Sequence, residues 1–152
     1  MRKLVLGEGG VSTIEFALIV PVLILLTAAF LDVARALNAA IVLGGASQEG
    51  AHYAVLHPTA APSAIASAAR TRTEPLSPNS IAVTAEYYDN AAATFRPWPS
   101  AGIPSSSPRP TGVVVRISVS YPWSAVSALV DSFFSGTGSR TLTASSLMET
   151  RR

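Results

Sequence analysis

The chain has 152 residues, which is room for one small folded domain and at most one accessory segment. It is 49% hydrophobic and only 13% charged, about half the charged share of an ordinary soluble domain, so part of it is expected to lie outside water. The formal net charge of +2 comes from scattered arginines and excludes a strongly basic nucleic-acid-binding surface. The sequence contains no cysteine, which excludes disulfides, thiolate metal sites and cysteine nucleophiles.

The first predicted element is an uncharged apolar run from Phe16 to Leu31. This run alone is short for a membrane-spanning helix, which needs about 20 residues. With residues 11–14 included, the stretch is roughly 31 Å long at about 1.5 Å per residue, which matches a hydrocarbon core of roughly 30 Å. The sequence therefore predicts a transmembrane helix over residues 11–35, with Arg2 and Lys3 keeping the N-terminus in the cytoplasm.

The same segment has some features of a cleavable signal peptide, because a positive start precedes an apolar core. The core is at or past the upper length of such peptides, however. The candidate cleavage region, residues 27–32, is followed by more helical sequence rather than a break. A retained membrane helix is therefore favoured, and a secreted protein that starts beyond residue 27 is the weaker alternative.

Glu15 is the one acid inside this apolar stretch. A carboxylate costs about 2.5–3.5 kcal/mol at the bilayer centre and less near an interface. It either favours the dipole of the first helical turn or has a cationic partner. Cleavage after Gly10 would create a positive amine on Val11, which cannot easily reach its own Glu15 along a helix. It can reach the Glu15 of an axially shifted neighbouring subunit, and the pair would neutralise both charges.

The stretch from Glu8 to Pro21 resembles the N-terminal signature of the TadE-like family, minor pseudopilins of the tight-adherence (Flp pilus) system. In that family a glycine precedes the cut, a glutamate and an aromatic residue follow at mature positions five and six, and a proline interrupts the apolar run. By this resemblance the processing residues are Gly10 and Val11, and the assembly residues are Glu15, Phe16 and Pro21. Gly9 is an alternative cut that would put Glu15 at position six.

A second stretch, residues 48–54, is similar to the motif that commonly ends this family's long helix. His52 stands where that motif often has arginine. The resemblance covers residues 7–56 closely, and beyond them only the general layout agrees.

The resemblance implies a non-enzymatic protein of the bacterial cytoplasmic membrane, single-pass, with its C-terminal domain extracytoplasmic. It would be cleaved by a prepilin peptidase and would help to assemble a Flp/Tad-type pilus or secretion apparatus, packing its helix against other pilins or pseudopilins. The domains would be a leader (1–10), a transmembrane helix (11–35), its extracytoplasmic continuation (36–57) and a small domain (58–152). The alternative is an uncleaved, single-pass membrane-tethered binding or scaffold module.

Small residues recur in the predicted continuation of the helix, where they allow close helix packing. They pack either on the chain's own domain or on other subunits, and the sequence does not favour one over the other. These residues are Ala36, Ala39, Ala40, Gly44, Gly45, Ala46, Gly50 and Ala51. The helix is expected to end at His57, because the residue before Pro58 is pushed out of the helical region.

The remainder predicts an α+β fold, a long helix followed by a small antiparallel sheet of about three strands with one or two short helices. Periodicity and turn signals give each element. In order they are a helix over 62–71, strands over 81–87 and 113–121, a Pro/Ser-rich loop over 97–111, a helix over 123–134 and a closing strand over 141–149. Trp98 in the loop is either a docking residue or, as we favour, a ring folded back onto the sheet.

The sequence holds no constellation typical of an enzyme. Glu49 and His52 have the i, i+3 spacing of metal ligands but no further ligand in view. Asp89, beside Tyr88 and Asn90, is typical of a turn. No nucleophile elbow or glycine-rich phosphate loop is present. We therefore predict no catalytic residues, no metal, no cofactor, no nucleic acid and no small-molecule substrate.

Overall fold

The computed structural model describes residues 8–103, 112–126, 132 and 139–150, with side chains from Thr13 onward. The order of elements confirms the predicted α+β fold. The helices are α1 (Glu8–Leu56) and α2 (Pro62–Arg70), with a 3₁₀ turn at Pro78–Ser80. The strands are β1 (Ala82–Asp89), β2 (Thr94–Pro97), β3 (Val114–Trp123) and β4 (Arg140–Glu149).

Helix α1 ends where the sequence predicts, one residue before His57-Pro58. The backbone N–H of His57 still donates to the carbonyl of Tyr53 at 2.9 Å, and the His57 ring stacks on the Tyr53 ring with centroids 4.4 Å apart. Proline then prevents another helical turn. The chain therefore leaves the long helix at a fixed point before α2 begins.

Helix α2 confirms the short helix predicted after the long one. Pro62 occupies its first turn, where a missing N–H costs nothing, and Ala61 before it is extended. Ile65 and Ala69 form its buried side. The Arg70 guanidinium donates to the carbonyl of Ile81 at 3.2 Å and so ties the end of α2 to the start of β1.

The sheet has four antiparallel strands in the order β2-β1-β3-β4. Val115, Ile117 and Val119, every second residue in the first part of β3, are buried because successive side chains in a strand point to opposite faces. Val119 lies opposite both Val83 and Ala144, so the three longest strands, β1, β3 and β4, share one apolar face. The strands predicted at 81–87, 113–121 and 141–149 are confirmed.

Strand β2 is the fourth strand, which the sequence did not predict. It pairs with β1 through a turn that Asp89 holds by accepting the N–H of Ala91 at 2.9 Å and of Ala92 at 3.4 Å. The turn role predicted for Asp89 is thus confirmed. Thr94–Pro97 is too short to show alternation, and it runs into the proline-rich loop, so its sequence resembled that loop.

The contacts within the chain divide it into two compact units. One comprises residues 1–35 and 124–138, and the other residues 36–123 and 139–152. The core of the second unit combines α1, α2 and the sheet. Its buried apolar residues are Leu43, Ala46, Ala51, Ala54, Ile65, Ala69, Ile81, Trp98, Ile103, Val115, Ile117 and Val119.

Part of the small-residue run of α1 packs against this core. Gly50 is buried, and a Cβ built on it would lie 3.1 Å from both Ala69 Cβ and Ile117 Cγ2. By contrast, Gly44 and Gly45 have nothing within 4 Å of the position of a Cβ. Packing on the chain's own domain therefore accounts for Gly50 but not for Gly44 and Gly45.

Trp98 is buried, with 5% of its surface exposed, and its indole N–H donates to the carbonyl of Ala60 at 2.9 Å. This confirms a ring folded back onto the domain. The adjoining residues 104–111 of the predicted loop lie outside the described part of the chain.

The helix predicted over 123–134 is wrong at its start. Trp123 is the last residue of β3, and residues 124–126 are irregular. Pairing of Trp123 with Arg140 across the sheet extends β3 beyond the point where the helical spacing begins. The rest of the predicted helix, except Ser132, lies outside the described residues.

The face of the sheet opposite the core is polar. Arg116 donates to Glu86 at 2.6 Å and lies 4.0 Å from the centroid of the Phe95 ring. The hydrogen bond to Glu86 raises the pKa of Arg116 above its ordinary value. The guanidinium therefore stays charged at any pH at which the fold persists and holds β1 to β3 across this face.

Candidate functional site on the long helix

The N-terminal half of α1 exposes large apolar side chains on all sides. Among the described residues it belongs to the one helix that is long and apolar enough to cross a membrane, and its most apolar window has no buried share. Burying each such side chain stabilises by about 1.5–3 kcal/mol, so this surface requires an apolar environment. The exposed residues are Ile14, Phe16, Leu18, Ile19, Val22, Leu23, Ile24, Leu25, Leu26, Phe30 and Leu31.

Glu15 lies within this apolar surface and is itself exposed. Among the described side chains it forms no hydrogen bond and no ion pair. Phe16 beside it is 69% exposed. The helix therefore presents a carboxylate and an aromatic ring side by side, and none of the described side chains pairs with the charge.

Pro21 lies inside α1, about one and two-thirds turns beyond Glu15 at about 3.6 residues per turn. Proline has no N–H, so the carbonyl of Ala17 loses its intrahelical donor. In a bilayer such a carbonyl needs a donor from a neighbouring helix or a local adjustment of the backbone. The helix therefore carries, soon after Glu15, a backbone acceptor without its ordinary helical donor.

The predicted processing residues lie at the start of α1. Gly10 and Val11 are helical in their backbone, and their side-chain surroundings are outside what is described. Gly10 precedes Glu15 by the five positions that the prepilin signature requires. The processing pair and the assembly residues are therefore carried on one continuous helix.

A second polar feature, which sequence reasoning missed, lies at the other end of the apolar run. Asp32 is only 2% exposed. Its carboxylate accepts the backbone N–H of Val126 at 3.0 and 3.2 Å and a guanidinium N–H of Arg35 at 3.2 Å. Sequence marks Asp32 only as the first charge after the apolar run, and nothing in it points to a partner 94 positions away.

An open groove of about 430 Å³ lies beside this contact. It is lined by Ala28, Leu31, Asp32, Arg35 and Val126. Asp32 is already hydrogen-bonded, so the groove offers an incoming group mainly apolar surface and the Arg35 guanidinium. The hydrogen bonds between Asp32 and Val126 hold one wall of the groove against the helix.

Glu49 and His52, the candidate metal pair, have no third ligand placed beside them among the described residues. Glu49 lies 3.4 Å from the Arg72 guanidinium, and His52 is exposed. Within the described ranges no group of three or more acidic, histidine or cysteine side chains is placed to hold a metal ion. Glu49 therefore forms a salt bridge that joins α1 to the segment after α2.

A long N-terminal helix that is apolar and exposed in its first half, followed by a small antiparallel sheet, is the layout expected of a single-pass, pilin-like membrane protein. Residues 10–52 match the family model described as TadE-like protein, and this match confirms the resemblance seen in the sequence over that segment. That family is non-enzymatic in general. No curated protein and no solved structure matches the chain.

Proposed function

We propose that the chain is a minor pseudopilin, inserted in the bacterial cytoplasmic membrane, cut after Gly10 by a prepilin peptidase and assembled into a Flp/Tad-type pilus or secretion apparatus. The proposal rests chiefly on one observation. Glu15 is exposed on an apolar helix surface, five residues after Gly10, and has no partner among the described side chains. A charge in that position is stabilised by a cation, which a neighbouring subunit can supply.

Cleavage supplies such a cation, the new amine of Val11. In an apolar filament core the amine of one subunit meets Glu15 of an axially shifted neighbour, so the pair sets the register between helices. Hydrogen bonds to charged groups contribute about 1.5–3 kcal/mol. Phe16 packs beside this pair, and Pro21 shapes the helix and frees a carbonyl near it.

Orientation follows from the charges at the N-terminus. Arg2 and Lys3 hold the leader in the cytoplasm, where the peptidase acts. The segment 11–35 then spans the bilayer, residues 36–57 continue the helix outside it, and residues 58–152 form the extracytoplasmic domain that contacts partner subunits. Gly44 and Gly45, with open space around their Cα atoms, are suited to close packing against another helix.

The first test is the N-terminus of the protein from membranes that contain the peptidase, measured by mass spectrometry. The expected start is Val11, and a start at Gly10 moves the cut to Gly9. Gly10→Val should block processing, whereas the matched variant Gly9→Ala should leave it unchanged. An intact Met1 contradicts cleavage and favours an uncleaved tethered module, and a start beyond residue 27 means a secreted protein.

The second test separates assembly from processing. Glu15→Gln keeps the shape of the side chain but removes its charge, so cleavage should continue while incorporation into sheared pili falls about tenfold or more, equivalent to about 1.4 kcal/mol or more. Thr27→Val is the matched control, because it removes a polar group from the same apolar run. Equal incorporation of the two variants contradicts the role of Glu15.

A further inference from the structure

The groove beside Asp32 lies at the level where the apolar run of α1 ends. Ala28 and Leu31 belong to the uncharged stretch, and Asp32 and Arg35 are the first charges after it. If the run spans the bilayer, as proposed above, the groove begins in the acyl region and ends among the lipid headgroups. The backbone of Val126, which is hydrogen-bonded to Asp32, therefore lies at the same level.

The residue that is hydrogen-bonded to Asp32 is Val126, and its apolar side chain is exposed. Val126 is 78% exposed although its backbone N–H is fixed by Asp32. Leu31, on the same groove, is also exposed. An exposed valine fixed beside an exposed leucine forms an apolar wall continuous with the membrane-facing surface of α1.

Arg35 adds the polar end of the site. Its side chain is 55% exposed although one nitrogen pairs with Asp32. A guanidinium has five donors, so the others stay available. Arginine near the end of a membrane helix keeps its apolar stem along the apolar surface and its charge at the headgroup level, where phosphate is the anion it meets.

We propose that this groove binds a membrane phospholipid, with an acyl chain along Ala28, Leu31 and Val126 and the headgroup phosphate at Arg35. The site is a second membrane contact in addition to the spanning helix, and Asp32 is its positioning residue. It rests on the proposed insertion of α1. A phospholipid fits because the groove joins the lipid-facing surface of the helix at one end and a cation at the other.

The chain has no cysteine, so single labels can be placed without background. Val126→Cys, Leu23→Cys and Gln48→Cys each carry an environment-sensitive fluorophore, in vesicles at low protein density that contain shallow or deep lipid quenchers. Leu23 lies mid-span. Gln48 lies roughly 24 Å beyond Asp32 along α1, at about 1.5 Å per residue. Tryptophan fluorescence, from Trp98 and Trp123, verifies that each variant is folded.

The label at Val126 should be quenched by shallow quenchers at least about twofold more than the label at Gln48. Asp32→Ala should lower it to the Gln48 level, and Asp32→Asn, which keeps one acceptor oxygen, should leave an intermediate value. Added phosphatidylglycerol should increase the quenching in the parent, whereas Arg35→Gln should remove that increase.

Quenching at Leu23 without quenching at Val126 overturns the lipid site and leaves the membrane helix intact. No quenching at Leu23 removes the proposed insertion, and the lipid site with it. If the fluorophore at position 126 is shielded from water only at high protein density, the groove is occupied by another protein chain rather than by a lipid. A dependence on phosphatidylglycerol that survives Arg35→Gln overturns the role of Arg35.

Discussion

Replacing Gly50 with alanine tests the close approach of α1 to the core. Glycine to alanine inside a helix normally stabilises by about 1 kcal/mol. Here the new Cβ would lie 3.1 Å from Ala69 Cβ and from Ile117 Cγ2, whereas carbon atoms prefer about 3.5–4.0 Å. Both neighbours are fully buried, one on α2 and one on the central strand β3, so neither can move freely.

Overpacking of a well-packed core costs about 1–3 kcal/mol. The net effect of Gly50→Ala is therefore between no change and a loss of about 2 kcal/mol in the free energy of unfolding. Gly45→Ala makes the same change in helix propensity where no atom lies within 4 Å. It should stabilise by about 0.5–1 kcal/mol, so the two variants should differ by about 1–3 kcal/mol.

The assay is urea unfolding of the full chain in detergent micelles, followed by the fluorescence of the two tryptophans, Trp98 and Trp123. Both variants gain the same helix propensity, so the difference between their free energies of unfolding gives the cost of the close contact alone. If Gly50→Ala is as stable as Gly45→Ala, the contact of α1 with α2 and β3 is looser than described, and the reasoning is refuted.

Three further variants probe the same unit by the same unfolding assay. Trp98→Phe, followed through the fluorescence of the remaining Trp123, should destabilise by about 1–3 kcal/mol, because it removes the hydrogen bond to Ala60 and leaves a gap; an unchanged midpoint would show that the bond contributes nothing. Gly102→Ala should cost at least about 2 kcal/mol, since Gly102 has φ +78° and a Cβ there would clash with the backbone of Thr59; wild-type stability would contradict this backbone conformation. Asp89→Ala should cost about 0.5–1.5 kcal/mol by removing the acceptor of the β1–β2 turn, and a larger loss would point to a further role for Asp89.

The helices and strands were predictable from the sequence where a single local rule fixes their ends or their pattern of burial. A proline after His57 ends a helix whatever surrounds it, and the alternation along β3 needs only one buried face. The TadE-like signature was likewise readable, because three spacings coincide with an apolar run. These features depend on neighbouring residues in the sequence rather than on distant contacts.

The remaining features depend on distant contacts. Strand β2 exists because β1 offers it an edge, and Trp123 stays in a strand because Arg140 pairs with it, although the sequence beyond has helical spacing. The role of Asp32 rests on the backbone of Val126, which any residue could supply, so no pattern of side chains could reveal it. The tertiary partner decides in each of these cases.

Glu15 and Asp32 lie near the two ends of the apolar run, and they differ in whether a described residue pairs with their charge. Asp32 is met by Arg35 and Val126, whereas Glu15 has no partner among the described residues. Among the described residues, the helix therefore has its charge paired at one end of the apolar run and unpaired at the other. If the chain assembles as proposed, only the end at Glu15 recruits a partner charge, so every subunit would join a fibre in the same orientation.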